Sequence, residues 1–242
     1  MRTGRRTAKA AATLADKAYE QIRDKILRGE YPLGSALPRR KLAVELGMSF
    51  LPVSEALQRL EHDGLVESKP RVGTRVRVPG RQDVLERYTL REALETQAAR
   101  LFVENSTKEQ KAELERMARR LDQLYDCCAE GEVETDFLFS VRTYHMKFHL
   151  FVAACTGCAL LRETIEREQV LVFNWLFDTV VNRTALPANF HSDLAKVLVA
   201  GDVLKAGEAM RKHVRFGLGN VTETVEQPES NGWRLPKGRK RG

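Results

Sequence analysis

Long apolar runs are missing from this 242-residue sequence, and no stretch approaches the roughly 18 residues that a membrane span requires. The basic opening from Met1 to Ala10 also lacks the apolar segment of a secretion signal. Cysteine is scarce: Cys127, Cys128, Cys155 and Cys158 leave most of the chain unstapled, which argues against a disulfide framework and for a reducing compartment. The expected location is therefore cytoplasmic, with no membrane partner. Cys155-Thr-Gly-Cys158 has the spacing of a redox or metal pair. It closes an apolar helix, however, without a second such pair or a thioredoxin-like strand, so packing is its expected role.

Catalytic patterns are absent as well. There is no Gly-rich phosphate loop, no Ser/His/Asp order and no setting for a cysteine nucleophile. A metalloprotease helix places Glu directly after its first His, whereas Met146 and Lys147 follow His145 here. The chain is read as not an enzyme, with a metal-dependent hydrolase as the weaker alternative. No internal repeat is visible.

What is present is an uneven charge. Residues 1–80 hold 16 Lys/Arg against 9 Asp/Glu, residues 81–225 hold 19 against 22, and residues 226–242 hold 5 against 2. A basic module joined to a mildly acidic one suggests a head that binds a polyanion on a body with another task. On charge alone, a solvated lysine-rich surface explains the excess equally well.

Residues 1–14 have no apolar period and read as a flexible basic arm. A first helix is expected over Asp16 to Arg28, with Tyr19, Ile22, Ile26 and Leu27 at helical spacing and Gly29 as a stop. A short helix from about Arg39 to Leu46 ends at Gly47. The next opens at Ser49 as N-cap, carries Pro52 in its first turn, and buries Val53, Ala56, Leu57 and Leu60. Two short helices meeting at a glycine turn form a helix-turn-helix, and the runs from Leu65 and through Gly73 add a hairpin. Residues 15–79 therefore read as a winged helix-turn-helix.

Such a unit lays its second helix in the DNA major groove while basic side chains hold phosphates. The exposed face of Leu51 to His62 offers Ser54, Glu55, Gln58 and Arg59, and Arg39, Arg40 and Lys41 lie on the preceding helix. The wing tip carries Arg71, Gly73 and Arg75, suited to a narrow minor groove. Candidate DNA-binding residues are Arg39, Arg40, Ser49, Ser54, Gln58, Arg59, Arg71, Gly73, Thr74 and Arg75.

Beyond Pro79-Gly80 the pattern is helical throughout, with helices expected at 83–104, 107–130, 133–156, 158–182, 187–200 and 202–224. Ser106 and Glu109 have capping-box spacing, and Pro187 suits a first turn. The fold class is mainly α: a winged helix-turn-helix followed by an all-α bundle over 83–224, then a basic tail, 225–242, read as disordered.

Four of the five histidines fall in that bundle. His145 and His149 lie one helical turn apart beside the stripe Phe137, Val141, Tyr144, Phe148 and Phe151. His191 opens the fifth helix of the bundle, and His213 shares a face with Met210 and Phe216 on the sixth. A lone inward histidine is ordinarily a hydrogen-bonded core residue. Four together, two of them at i and i+4, point to a divalent metal held by His145, His149, His191 and His213, with zinc first and nickel or another transition metal possible.

Several runs resemble the GntR family of bacterial regulators: Ile22 to Gly29, Gly34 to Leu37, Leu42 to Ser49, Pro52-Val53, Glu55 to Leu60, Asp63 to Val66, and wing Gly73. The sequence departs from that pattern at Phe50 and Ser54, where the family usually carries arginines that contact the operator. Residues 83–222 resemble the helical FCD effector domain of the FadR-type branch, through Leu90 to Glu95, Phe148-His149, His191 and His213. The resemblance implies a metal held by an Asp and three His, and the Asp position is His145 here. It further implies an organic-acid effector, with Arg91 and Arg142 as candidate carboxylate partners. The expected protein is a homodimeric, ligand-responsive regulator, a repressor of double-stranded operator DNA. Direct sensing of the metal is the alternative.

Overall fold

The structure, a computed structural model, describes residues 12–129, 134–176 and 186–226. Most of the expected basic arm and basic tail lies outside those residues, as does the end of the helix expected to reach residue 182. Among the described residues the chain forms α1 (Leu14–Leu27), α2 (Arg39–Leu46), α3 (Phe50–His62), β1 (Val66–Lys69), β2 (Gly73–Val76) and α4 (Arg81–Asn105). There follow α5 (Lys108–Ala129), α6 (Thr135–Ala154), α7 (Ala159–Leu176), α8 (Phe190–Val199) and α9 (Val203–Glu226).

Helix α1 starts two residues before the expected Asp16 because Thr13 and Asp16 cap it reciprocally. The Thr13 backbone N–H donates to Asp16 Oδ2 at 2.9 Å, and the Asp16 N–H donates to Thr13 Oγ1 at 3.1 Å. Ala18, Ile22 and Ile26 of α1 are buried with Val53, Ala56, Leu57 and Leu60 of α3, forming the core of the head. Gly47 ends α2 in the left-handed region at φ 62°, which turns the chain directly into α3. Ser49 occupies the N-cap of α3, but its side chain makes no capping bond.

Strands β1 and β2 pair antiparallel from Val66 opposite Val76 to Lys69 opposite Gly73. The wing is anchored from below, where Leu37 N–H donates to Thr74 O at 2.8 Å and Gly34 N–H donates to Val76 O at 2.9 Å. At its tip Arg71 and Gly73 both have positive φ, 63° and 93°.

The helical unit is organised around α4, which lies along α9 and also touches α6, α7 and α8. Tyr88 and Phe102 of α4, Leu114 and Leu121 of α5, and Phe148 of α6 are fully buried. The Arg100 side chain of α4 lies over Gly207 of α9, its Nε 2.6 Å from where a Cβ would stand.

Two expected helix starts differ. The box opening α5 uses Thr107 and Gln110, not Ser106 and Glu109: Thr107 N–H donates to Gln110 Oε1 at 2.8 Å, and Gln110 N–H donates to Thr107 Oγ1 at 3.2 Å. Pro187 precedes α8 rather than entering its first turn. A turn closed by Phe190 N–H to Pro187 O at 3.2 Å, with Asn189 at φ 57°, delays the helix to Phe190.

The two units touch away from the chain connection. Arg28 at the end of α1 places Nη1 3.0 Å from Asp136 Oδ1 and its guanidinium 4.2 Å above the Phe139 ring, both on α6. No helix among the described residues is long and apolar enough to cross a membrane.

Candidate metal centre and nucleic-acid interface

Helix α6 carries His145 and His149 one turn apart, α8 opens with His191, and α9 supplies His213. All four rings meet. Ring centroids lie 4.8 Å apart for His145–His149 and His145–His191, 5.1 Å for His149–His213 and 5.3 Å for His191–His213. His149 Nε2 stands 2.9 Å from His145 Nε2 and 3.3 Å from His213 Nε2. Ligand atoms of His145, His149 and His213 fall within 4.8 Å of one another, and His191, the fourth expected ligand, brings its ring beside them without joining that group. Two imidazole nitrogens bound about 2.0–2.1 Å from one tetrahedral zinc ion are themselves about 3.3–3.4 Å apart. The observed spacing therefore fits a first-row cation with small side-chain adjustments.

Two carboxylates flank the rings. Glu95 Oε2 lies 2.6 Å from His149 Nδ1, and Asp122 Oδ1 lies 2.8 Å from His191 Nδ1. Burial alone would raise both carboxyls. For Glu95, the Arg91 charge and His149 prevail and hold it down to about 2. For Asp122, hydrogen bonds from His191 and Ser192 likewise bring it to about 2. An ionised carboxylate beside Nδ1 keeps the proton there and leaves the Nε2 lone pair facing the opposite way. His191 Nε2 is buried with no hydrogen-bond partner, as such a lone pair would be.

Tyr125 is stacked on His191 at 5.3 Å between centroids, and its hydroxyl lies 2.8 Å from His145 Nδ1. That hydroxyl can donate or accept, so His145 can hold its proton on either nitrogen. With the proton on Nε2 it bridges to His149; with it on Nδ1, a third lone pair joins the cluster. Burial and the neighbouring histidines push His145 and His213 well below the ordinary imidazole value of 6.5, and burial lowers His191 despite Asp122. These rings are thus neutral near pH 7, the form that binds metal.

Arg91 is buried and donates from Nε to Glu95 Oε1 at 2.7 Å, with its guanidinium 5.1 Å over Tyr88. Arg142 is also buried, and its charge acts on Tyr125 and Cys128. Asp122 and Tyr125 were not legible as site residues, and Glu95 was legible only as part of a motif. Their signal is weak: Asp122 and Tyr125 share a face of α5 at i and i+3, and Arg91 and Glu95 share one of α4 at i and i+4.

In the head, Arg40, Gln58, Arg71, Gly73 and Arg75 are exposed, Arg39 is half-buried, and Ser49 is exposed with its hydroxyl free of a capping role. Two expected DNA-facing side chains are shielded. Thr74 points into the core, because strand alternation turns it opposite to Gly73 and Arg75, and its Oγ1 meets Ser68 Oγ at 3.0 Å. The Ser54 hydroxyl is shielded from solvent within the helix-turn-helix. Arg59 remains exposed while its Nη1 lies 2.6 Å from Asp16 Oδ1 and its guanidinium 4.5 Å above Tyr19.

Comparison with known proteins agrees with both units. The pattern of the "Bacterial regulatory proteins, gntR family" matches residues 14–76, and that of the FCD domain matches residues 86–216. The chain is 31% identical over 204 residues to the "Probable D-xylose utilization operon transcriptional repressor" of Paenarthrobacter nicotinovorans, covering 84% of this chain and 86% of that one. In fold it resembles Escherichia coli McbR/YncC, with a TM-score of 0.67 at 23% identity over 90% of this chain and 99% of that one. It also resembles a GntR transcriptional regulator of Rhodococcus sp. RHA1, with a TM-score of 0.70 at 20% identity over 86% and 97% of the two chains. These relatives are regulators, not enzymes. A winged helix-turn-helix joined to a helical unit of six helices among the described residues, with near full-length similarity to a repressor, has one reading: the chain belongs to the GntR family of bacterial transcription regulators, in the branch that carries an FCD domain, and is a DNA-binding protein.

Proposed function

We propose that this regulator is a cytoplasmic, homodimeric repressor whose helical unit holds a divalent transition metal on His145, His149, His191 and His213 and, beside it, an organic-acid effector. The observation that carries the metal is the convergence of His145, His149 and His213, whose ligand atoms lie within 4.8 Å of one another, with Glu95 beside Nδ1 of His149 and Asp122 bonded to Nδ1 of the neighbouring His191. Carboxylate–histidine pairs of this kind orient ligands and raise their basicity. A bound cation supplies a Lewis-acidic centre that can take an effector carboxylate at an open position.

This chain's own residues do the rest. Glu95 and Asp122 hold the proton at Nδ1 of His149 and His191, and Tyr125 accommodates either tautomer of His145. Arg91, whose charge is balanced by Glu95, and Arg142 place guanidinium groups in the interior that would partner an effector carboxylate. In the head, Arg39, Arg40, Arg71 and Arg75 would hold phosphates, while Ser49 and Gln58 would face base edges at a two-fold operator. Effector capture would bias the placement of the paired heads through α6, whose first turns meet Arg28.

Elemental analysis of the purified protein with native mass spectrometry tests the centre: about one transition-metal ion per chain is expected, and none after replacement of His149 and His213 by alanine. Operator affinity titrated with metal alone, then with metal and small organic acids, tests the signal. A graded response to metal alone would remove the organic acid from this account.

A further inference from the structure

The first turn of α3 is unusually apolar on its outer side. Phe50 and Leu51 are 50% and 66% exposed, whereas Pro52 and Val53 behind them belong to the core. Large exposed apolar side chains cost solubility and are ordinarily covered by something. Here they occupy the helix end that in a helix-turn-helix enters the major groove and touches base edges. Exposed basic residues Arg40, Arg71 and Arg75 lie on the same small unit, so the surface around the patch suits a polyanion.

Neither Phe50 nor Leu51 has a hydrogen-bond donor or acceptor on its side chain, and the Ser54 hydroxyl one turn later is shielded. The only apolar group on a base edge in the major groove is the C5-methyl of thymine. From this juxtaposition we infer that Phe50 and Leu51 are specificity-determining residues that read thymine methyl groups. Each operator half-site then carries thymine opposite the first turn of α3, and 5-methylcytosine is read there in the same way. The inference rests on the DNA-binding role of the head and gives that role a base preference.

The test begins with selection of duplexes by the full chain from a random library, followed by replacement of thymines in the selected half-site by deoxyuridine, which removes only the methyl. Affinity is expected to fall about fourfold at each contacted position, the factor equivalent to about 0.8 kcal/mol per buried carbon group. Cytosine at such a position binds weakly, and 5-methylcytosine recovers part of the loss. Phe50→Ala and Leu51→Ala, both at exposed positions, should bind less tightly and no longer distinguish thymine from deoxyuridine. Wild-type affinity indifferent to every such replacement overturns the inference while leaving operator binding intact. So does undiminished methyl sensitivity in the doubly substituted F50A/L51A protein. Failure to enrich any duplex overturns the DNA-binding role along with it.

Discussion

Asp122 Oδ1 lies 2.8 Å from His191 Nδ1, and the same carboxylate accepts the backbone N–H groups of His191 and Ser192 at 2.9 Å. One side chain on α5 therefore both caps α8 and orients its first histidine. Asp122→Asn keeps an acceptor but loses the charge that holds the proton on Nδ1. Zinc affinity, measured by competition with a chromogenic chelator, is expected to fall about 10- to 100-fold. Asp122→Ala should add a loss of about 0.5–2 kcal/mol in thermal stability from the missing cap.

Metal removal should destabilise the protein by mass action. If only the folded state gathers the four rings, zinc at 100 times its Kd stabilises by about 2.7 kcal/mol. Calorimetry with and without a chelator is expected to show a lower Tm for the stripped protein. His149→Ala, lacking the ring common to both short Nε2 contacts, should show no difference between the two conditions.

Acid should weaken the metal-free fold, and the sign follows from burial. His145 and His213 sit well below 6.5 in the folded chain, so the unfolded chain takes up protons first as pH falls. Their contribution is complete above about pH 6.5 and is lost below it. Urea unfolding at pH 7 and pH 5 is expected to give a lower midpoint at pH 5, and replacing both histidines by Gln should flatten that dependence.

Gly47 closes α2 at φ 62° with nothing within 4 Å of a would-be Cβ, so the constraint there is backbone conformation and not space. Gly47→Ala is expected to cost about 1–2 kcal/mol, and Gly47→Asn less, because Asn tolerates the left-handed region better. Chemical denaturation of the two variants checks the order.

At the wing, Arg71→Ala and Arg75→Ala should each weaken binding to all duplexes alike. The slope of log K against log salt is expected to shrink by about one unit per arginine. A change of base preference without a change of slope would contradict their assignment to phosphates.

Local rules made the helices legible. The apolar period located α3 and α6, and glycine stops at Gly29 and Gly47 marked where helices end. The starts were less clear where two capping patterns overlapped, as at Ser106 and Thr107, because only the side chain that reaches N3 decides between them. The four histidines stood out because helical spacing placed each on an inner face. Their partners did not, since Glu95 and Asp122 come from α4 and α5, and nothing local ties those positions to residues 50 or more away in the chain. Thr74 was misplaced for a simpler reason: the wing tip was read as one exposed run, whereas Thr74 alternates with Gly73 and Arg75 and shares the inner side of β2 with Val76.

The perch of Arg28 on Phe139 and Asp136 has a mechanical meaning. Asp136 lies nine positions before His145 on one unbroken helix, about 14 Å at 1.5 Å per residue. A helix of that length is stiff along its axis, so on the proposed reading α6 would act as a push rod with imidazoles at one end and the last turn of α1 at the other. A fraction of an ångström of tilt among the rings would then become a displacement at the end of α1, the helix that backs the recognition helix. Under the proposed function, what the bundle catches would be felt by the DNA-gripping unit through this contact as well as along the covalent connection at Pro79-Gly80.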